Sequence, residues 1–331
     1  MENDAFIRHQ MSEGVGMTKL KIISALLSVL IFGLTSHVSA GILLQENFED
    51  GNFSTRGWYD NATPKLSSLE HIPNSLKSLE FHFAKGAVTP DSTGSSMRKK
   101  FLETDSLYLS YYVKHSASWV GSGGTYHPHI FYFLTNKDTD WTGPAYTHLT
   151  LYLEELGGKP QILIQDGVNV DLANIGKNLT GVSEKRAVAG CNGDSDGLGN
   201  GDCYANGSVY WNGKTLWKSG TDLFSSTAGP SYKGDWHLVE AYVKMNSIVN
   251  GAAVKDGVLQ YWYDGKSVLN STAVVFRTGQ YPDMKFNQLL IGPYIGVGSP
   301  VDQSMWIDNL TVSNAVPTQL APPQNLRIIS P

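Results

Sequence analysis

Apolar residues recur at every second position in several segments along the chain. Between His148 and Glu154, the residues Leu149, Leu151 and Leu153 alternate with His148, Thr150, Tyr152 and Glu154. This is the repeat of a strand with one buried face, because successive side chains of an extended backbone point to opposite sides. The same repeat, with aromatic and β-branched enrichment and bounded by Gly, Asn, Asp or Pro, predicts strands at Leu76–Phe83, Leu107–His115, His129–Leu134, His148–Glu154 and Gln161–Gln165. It continues at His237–Met245, Val258–Tyr263, Gln288–Ile291 and Met305–Val312. No long stretch with a 3.6-residue apolar period stands out. The expectation is an all-β, two-sheet antiparallel sandwich. Glu46–Gly51 and Trp306–Val312, the matching edges of the chain, should lie side by side in one closed domain.

The alternation also separates outward-facing sets. Tyr108, Ser110, Tyr112 and Lys114 share one side of their segment. So do His148, Thr150, Tyr152 and Glu154; Glu240, Tyr242 and Lys244; and Gln260 with Trp262. A solvated sheet face is polar in any case, but Tyr and Trp recur here where Thr, Ser and Lys would suffice for solubility. Were these sets to line one sheet, they would make a trough for a sugar chain, since aromatic faces stack on pyranose rings and fixed amides and charges bind hydroxyls and carboxylates. His127 and His129, around Pro128, have the spacing of two ligands or of an acid and base pair on one strand face, but no third metal ligand accompanies them.

The chain has 331 residues, a formal charge of −5, 34 glycines, 14 prolines and 11% aromatic residues. That profile belongs to a turn-rich globular β-protein, and with no basic stripe it gives no reason to expect nucleic acid. Residues 17–40 read as a secretory leader: Lys19 and Lys21 precede an apolar run from Ile22 to Leu34, and Val38-Ser39-Ala40 supplies a cleavage site. The run is shorter than the ~20 residues a membrane span needs. The expected product is therefore exported, extracellular or periplasmic, and free of the membrane after cleavage. Met17 is a second candidate start. Residues 41–314 form the domain, and 315–331, with four prolines, read as a linker or tail.

Cys191 and Cys203, the two cysteines, are expected to form a disulfide that staples an elaborated loop between Gly167 and Pro230. Between them, Asp194, Asp196 and Asp202 among glycines suit oxygen coordination of calcium; a solvated acidic turn is the other reading. A second structural Ca2+ is expected at the joined edges, held by Glu46 or Glu49, backbone near Asp50, and Asp308. No organic cofactor is implied. The nucleophile elbow, phosphate loop and zinc-protease helix are all absent from the sequence. Glu154 and Glu240 are the pair of carboxylates a glycosidase would need, but the Glu-x-Asp-x-x-Glu strand of laminarinase-like hydrolases is missing.

Residues 41–314 resemble the concanavalin A-like jelly rolls, particularly secreted polysaccharide lyases. The resemblance is carried by Phe48-Glu49-Asp50-Gly51, Tyr112-Val113-Lys114, Trp236 to Glu240 with Tyr242-Val243-Lys244, Asp256 to Gly265, and Trp306-Ile307-Asp308-Asn309. It implies β-elimination on a uronate polymer, an acidic polysaccharide partner. Lys114, Lys244, Gln165 or Arg277 would stabilise the enolate-like intermediate, and Tyr152, Tyr242, His127, His129 or His148 would move the proton. Tyr112, Glu154, Glu240, Gln260 and Trp262 would bind sugar. A non-catalytic carbohydrate-binding or adhesive module on the same fold is the alternative.

Overall fold

The computed structural model describes residues 41–90, 96–124, 128–165 and 216–317. The first strands in chain order are β1 (Ile42–Glu46), β2 (Trp58–Asp60), β3 (Lys65–Ser67), β4 (Ser78–Phe83), β5 (Met97–Thr104) and β6 (Ser106–His115). Next come β7 (His129–Thr135), β8 (Thr150–Leu156), β9 (Lys159–Gln165), β10 (Leu216–Lys218) and β11 (His237–Lys244). The last are β12 (Ile248–Val249), β13 (Ala252–Ala253), β14 (Gly257–Tyr263), β15 (Lys266–Val274), β16 (Phe286–Tyr294) and β17 (Gln303–Ser313). Among the described residues, the helical elements are two short 3-10 turns, at Ser54–Arg56 and Pro144–Tyr146.

The strands form two antiparallel sheets, the expected sandwich. An eight-stranded sheet runs β15-β14-β11-β6-β17-β4-β3 with β1 added against β17, and a seven-stranded sheet runs β10-β9-β8-β7-β16-β5-β2. The apolar halves of the alternating strands meet between the sheets. Leu107, Leu109, Tyr111 and Val113 from β6 and Val239, Ala241 and Val243 from β11 face Phe131 and Phe133 from β7 and Leu151 and Leu153 from β8. Burial of these faces supplies the main driving force, about 25 cal/mol per Å2 of apolar surface removed from water.

Special backbone positions join the strands. Asp264 and Gly265 both have positive φ, 48° and 72°, as a two-residue hairpin loop between β14 and β15 requires. In β17, Asn309 sits at φ 53° and the register with β6 shifts between Asp308 and Thr311. This extra residue lets Ile307, Leu310 and Val312 all reach the core although their spacing breaks the two-residue repeat. The edges of the chain pair as expected: Ile42 lies opposite Ser313 and Glu46 opposite Leu310.

Candidate active site

The outer face of the seven-stranded sheet carries a tyrosine-rich polar cluster. The β7–β16 register runs evenly from Leu134 opposite Gln288 to Phe131 opposite Ile291, then shifts so that His129 lies opposite Tyr294. Gly292 and Pro293 fall in the shifted stretch, and a proline has no N–H to continue a ladder. As a result Ile130 and Phe131 both enter the core, and His129 turns to the outer face. There its ring lies 5.5 Å from Tyr132, 5.3 Å from Tyr152 and 6.1 Å from Tyr294, with which it stacks.

Neighbouring strands fix the orientation of this histidine. His129 Nδ1 is 2.8 Å from Glu154 Oε2 on β8, and Gln161 Nε2 on β9 donates to Glu154 Oε1 at 2.9 Å. A carboxylate accepts, so Nδ1 bears the hydrogen and Nε2 is the basic nitrogen of the neutral ring. Beside this pair, the Tyr152 hydroxyl donates to Gln165 Oε1, and the Tyr132 hydroxyl donates to the Gly292 carbonyl at 3.2 Å. Glu154, Gln161 and Gln165 share a face because they alternate with Leu153, Ile162 and Ile164, which pack inward.

Arg98 on β5 supplies the cationic side. Its Nε donates to Asp60 Oδ2, and its Nη1 donates to the Thr142 carbonyl at 2.7 Å and to Gln288 Oε1 at 3.1 Å. Nη2 has no hydrogen bond among the described residues. Arg98, His129, Tyr132, Tyr146, Leu290 and Tyr294 border a cavity of about 320 Å3. Of the lining residues, Tyr146 is 76% exposed; Trp141, outside the lining, stands 65% exposed and edge-on to Tyr59 at 5.0 Å. Burial pushes the Tyr59 hydroxyl up to about 12, so it stays protonated.

No family model and no curated protein sequence matches the chain. Solved structures do. An alginate lyase from Chlorella virus is 12% identical with a TM-score of 0.50, over 83% of this chain and 100% of that one. A marine alginate lyase from Aplysia kurodai is 11% identical with a TM-score of 0.50, over 82% and 99%. The likeness is one of fold: a two-sheet antiparallel jelly roll of the concanavalin A-like kind.

This jelly roll divides the residues expected from sequence between two opposite surfaces. His129, Tyr152, Glu154 and Gln165 come together on the seven-stranded sheet, and His148, just before β8, packs its ring 5.1 Å from Tyr281. Tyr112, Lys114, Glu240, Tyr242, Lys244, Gln260 and Trp262 instead belong to β6, β11 and β14 of the eight-stranded sheet. A single trough built from both sets is therefore corrected: alternation shows that a side chain faces outward, but not from which sheet. The same division separates Glu154 from Glu240, which cannot flank one glycosidic bond. Arg277 lies apart from both sets, its Nη1 donating to Asp105 at 2.7 Å and to the Met284 carbonyl at 2.8 Å. It ties loops together.

At the joined edges, two of the expected calcium ligands are engaged by Arg56. Glu46 accepts from Arg56 Nε at 2.9 Å, Arg56 Nη2 at 3.0 Å and the Trp58 indole at 2.9 Å, and Asp50 accepts from Arg56 Nη1 at 2.6 Å. The Arg56 guanidinium thus bridges these two carboxylates. Among the described residues, no group of three or more His, Cys, Asp or Glu is placed to hold a metal. Glu49 accepts from Ser75 Oγ at 2.8 Å and the Leu76 amide at 2.9 Å. Asp308 accepts from the Ile72 amide through Oδ2 at 3.1 Å, while its Oδ1 is buried without a partner. Burial, with Glu49 nearby, pushes its carboxyl up to about 6. His127, Asp194, Asp196, Asp202, Cys191 and Cys203 lie outside the described residues.

Arg98, Gln288, Tyr132, Gln161 and Tyr294 complete the cluster, and sequence reasoning did not select them. Gln288 and Tyr132 lay within predicted strands at outward positions and were available by parity. Arg98 was not, because its strand, Met97–Thr104, has four charged residues in eight and no apolar alternation to announce it.

Proposed function

We propose that the chain is an exported polysaccharide lyase that cleaves a uronate-containing polymer by β-elimination, with the outer face of the seven-stranded sheet as its active site. The observation that carries this reading is the Glu154–His129 pair beside a cavity that Arg98 and Tyr294 also border. The lyase fold, the alginate-cleaving neighbours and the leader-like segment support it.

The C5 proton of a uronate is too weakly acidic to leave unless charge on the adjoining carboxylate is offset. Arg98 Nη2, the guanidinium nitrogen left without a hydrogen bond, meets that carboxylate. Because Asp60 already shares the Arg98 charge, stabilisation rests on a directed hydrogen bond more than on net charge. His129 Nε2 takes the C5 proton, its tautomer held by Glu154. The released electron pair becomes the C4=C5 double bond as the C4–O bond breaks, and the Tyr294 hydroxyl protonates the departing oxygen. Return of the proton from His129 to Tyr294 closes the cycle, with no water consumed. The exposed rings of Tyr146, at the cavity, and Trp141 offer surfaces on which the polymer stacks.

The reading extends to one structural calcium, held by Asp308 and Glu49. Glu46 and Asp50 do not fit such an ion, since Arg56 occupies them; the buried, unbonded Asp308 Oδ1 does.

The test is to incubate the protein with alginate and with glucuronan and follow ultraviolet absorbance of the unsaturated uronate. The wild type and Lys114→Ala should both generate it, and His129→Ala should lower the rate about a hundredfold or more. Full activity of His129→Ala, or loss of activity in Lys114→Ala with His129→Ala unaffected, would move the site to the other sheet. Retention on the polymer without absorbance would make the protein a binding module.

A further inference from the structure

The opposite surface of the sandwich carries a second aromatic groove that the lyase reading does not use. Two cavities of about 210 and 320 Å3 lie on the outer side of the eight-stranded sheet and share Glu70, Lys114 and Gly234 in their walls. Tyr112 and Trp236 line the first; Tyr232 and Trp306 line the second. All four are half-buried, each leaving part of its surface to solvent. The bare backbone of Gly234 helps to shape the wall, since a Cβ there would stand 2.4 Å from the Tyr232 ring.

The aromatic line continues beyond the cavities. Trp306 on β17 lies opposite Lys114 on β6, Tyr112 on β6 lies opposite Leu238 on β11, and Glu240 on β11 lies opposite Trp262 on β14. Trp306, Tyr112 and Trp262 each alternate with core residues and so project from the same face. With strands about 4.8 Å apart and residues about 3.3 Å apart along them, Trp306 and Trp262 mark a diagonal of about 20 Å. That is a track for an extended chain rather than a pocket for one small molecule.

The charges on this track differ from those at the candidate active site. Lys114, the lysine bordering both cavities, is paired with Glu70 at 2.6 Å, and Lys65 with Glu80 at 2.7 Å. Glu240 accepts from the Tyr108 hydroxyl. The cavity-lining residues thus present rings, a matched ion pair and the additional carboxylate of Asp235, with no guanidinium. The cavities have stacking surface for pyranose rings, but their lysine is already paired and does not offset a carboxylate on each of them.

We infer that the outer face of the eight-stranded sheet, along Trp306, Tyr112, Trp236 and Trp262, is a second carbohydrate-binding surface that takes a neutral polysaccharide. It holds the protein on one polymer while the opposite face acts on another. The inference does not depend on cleavage.

Affinity electrophoresis of the full chain in gels containing a neutral β-glucan, a mannan, a galactan or alginate tests it, with Tyr112→Ala, Trp262→Ala and His129→Ala run alongside. At least one neutral polymer should retard the wild type and His129→Ala equally, and each aromatic substitution should weaken that retardation by about tenfold. Matching melting temperatures serve as the folding control. Quenching of wild-type tryptophan fluorescence by the same polymers reads the surface without any variant. The proposal is overturned by the absence of both retardation and quenching with all three neutral polymers, by retardation that the aromatic variants leave intact, or by an aromatic-dependent retardation that only alginate produces.

Discussion

Glu155 offers a quantitative test of how the two sheets meet. It follows Glu154 on β8 and therefore points inward, where the Trp119 indole donates to its Oε1 at 2.8 Å and its Oε2 is buried without a partner. His115, on the facing sheet, lies 3.8 Å away with both ring nitrogens unbonded. Burial pushes the Glu155 carboxyl from its usual 4.5 up to about 7, and burial pushes the His115 imidazole down to about 3. Between pH 4.5 and 7 the native state therefore holds a proton on Glu155 that the unfolded chain releases. The stability this gives is complete below about pH 4.5 and is lost as the pH rises through about 7. Glu155→Gln keeps the acceptor for Trp119 and never ionises. Relative to wild type it should be more stable by about 1 kcal/mol at pH 5 and by about 3 kcal/mol at pH 8, from 1.36 kcal/mol per pKa unit. His115 remains in both proteins, so its own titration, which favours the fold as pH rises from about 3 to 6.5, largely cancels in the comparison. Urea unfolding of the two proteins at pH 5, 6, 7 and 8 measures the difference. A gap that stays constant with pH, or shrinks as pH rises, would refute this account of the buried carboxyl.

Two further outcomes follow from the joined edges of the chain. Arg56→Ala should destabilise the protein by roughly 2–3 kcal/mol in chemical denaturation, because it strips the buried Glu46 carboxylate of its guanidinium and leaves the Trp58 indole and Phe48 amide as donors. A loss below a few tenths would mean that Glu46 finds another partner. Calcium should raise the melting temperature of the wild type but not of Asp308→Asn, and the effect should fade below about pH 6 as Asp308 takes up its proton. Melting curves indifferent to both calcium and chelator would remove the ion.

Much of the fold was legible in the sequence because its core strands obey a two-residue repeat. Leu107, Leu109, Tyr111 and Val113 all pack inward as their spacing required, and each of the nine predicted segments overlaps an observed strand. Strands at or near the margins did not show in this way. β15 (Lys266–Val274) is largely exposed, so no buried face disciplines its sequence, and β5 hides Arg98 among lysines. The candidate site was half legible. His129, Tyr152, Glu154 and Gln165 were selected by residue type and parity. The assignment of Lys114 and Tyr242 to the same surface failed because a sandwich has two outer faces of similar polarity, and only long-range pairing decides which strand joins which sheet. Glu46 and Asp50 left the expected calcium set for a different reason: acidic residues that converge in space attract a guanidinium as readily as an ion, and Arg56 is ten residues from Glu46 in a turn whose path the sequence does not fix.

The position of β17 bears on how the molecule comes into being. This segment, residues 303–313, is among the last described along the chain, yet it lies inside the eight-stranded sheet, bonded to β6 on one side and to β4 and β1 on the other. While the chain is being synthesised, β6 and β4 present unpaired backbone to each other across a gap that nothing yet fills. The sheet stays in two halves until residue 313 has emerged. Closure is thus a late, non-local event, slow in the manner of high-contact-order β-folds, and the nascent chain carries open edges throughout translation. A ribosome that stalls shortly before residue 303 would release a sticky pair of half-sheets rather than a slightly shortened protein.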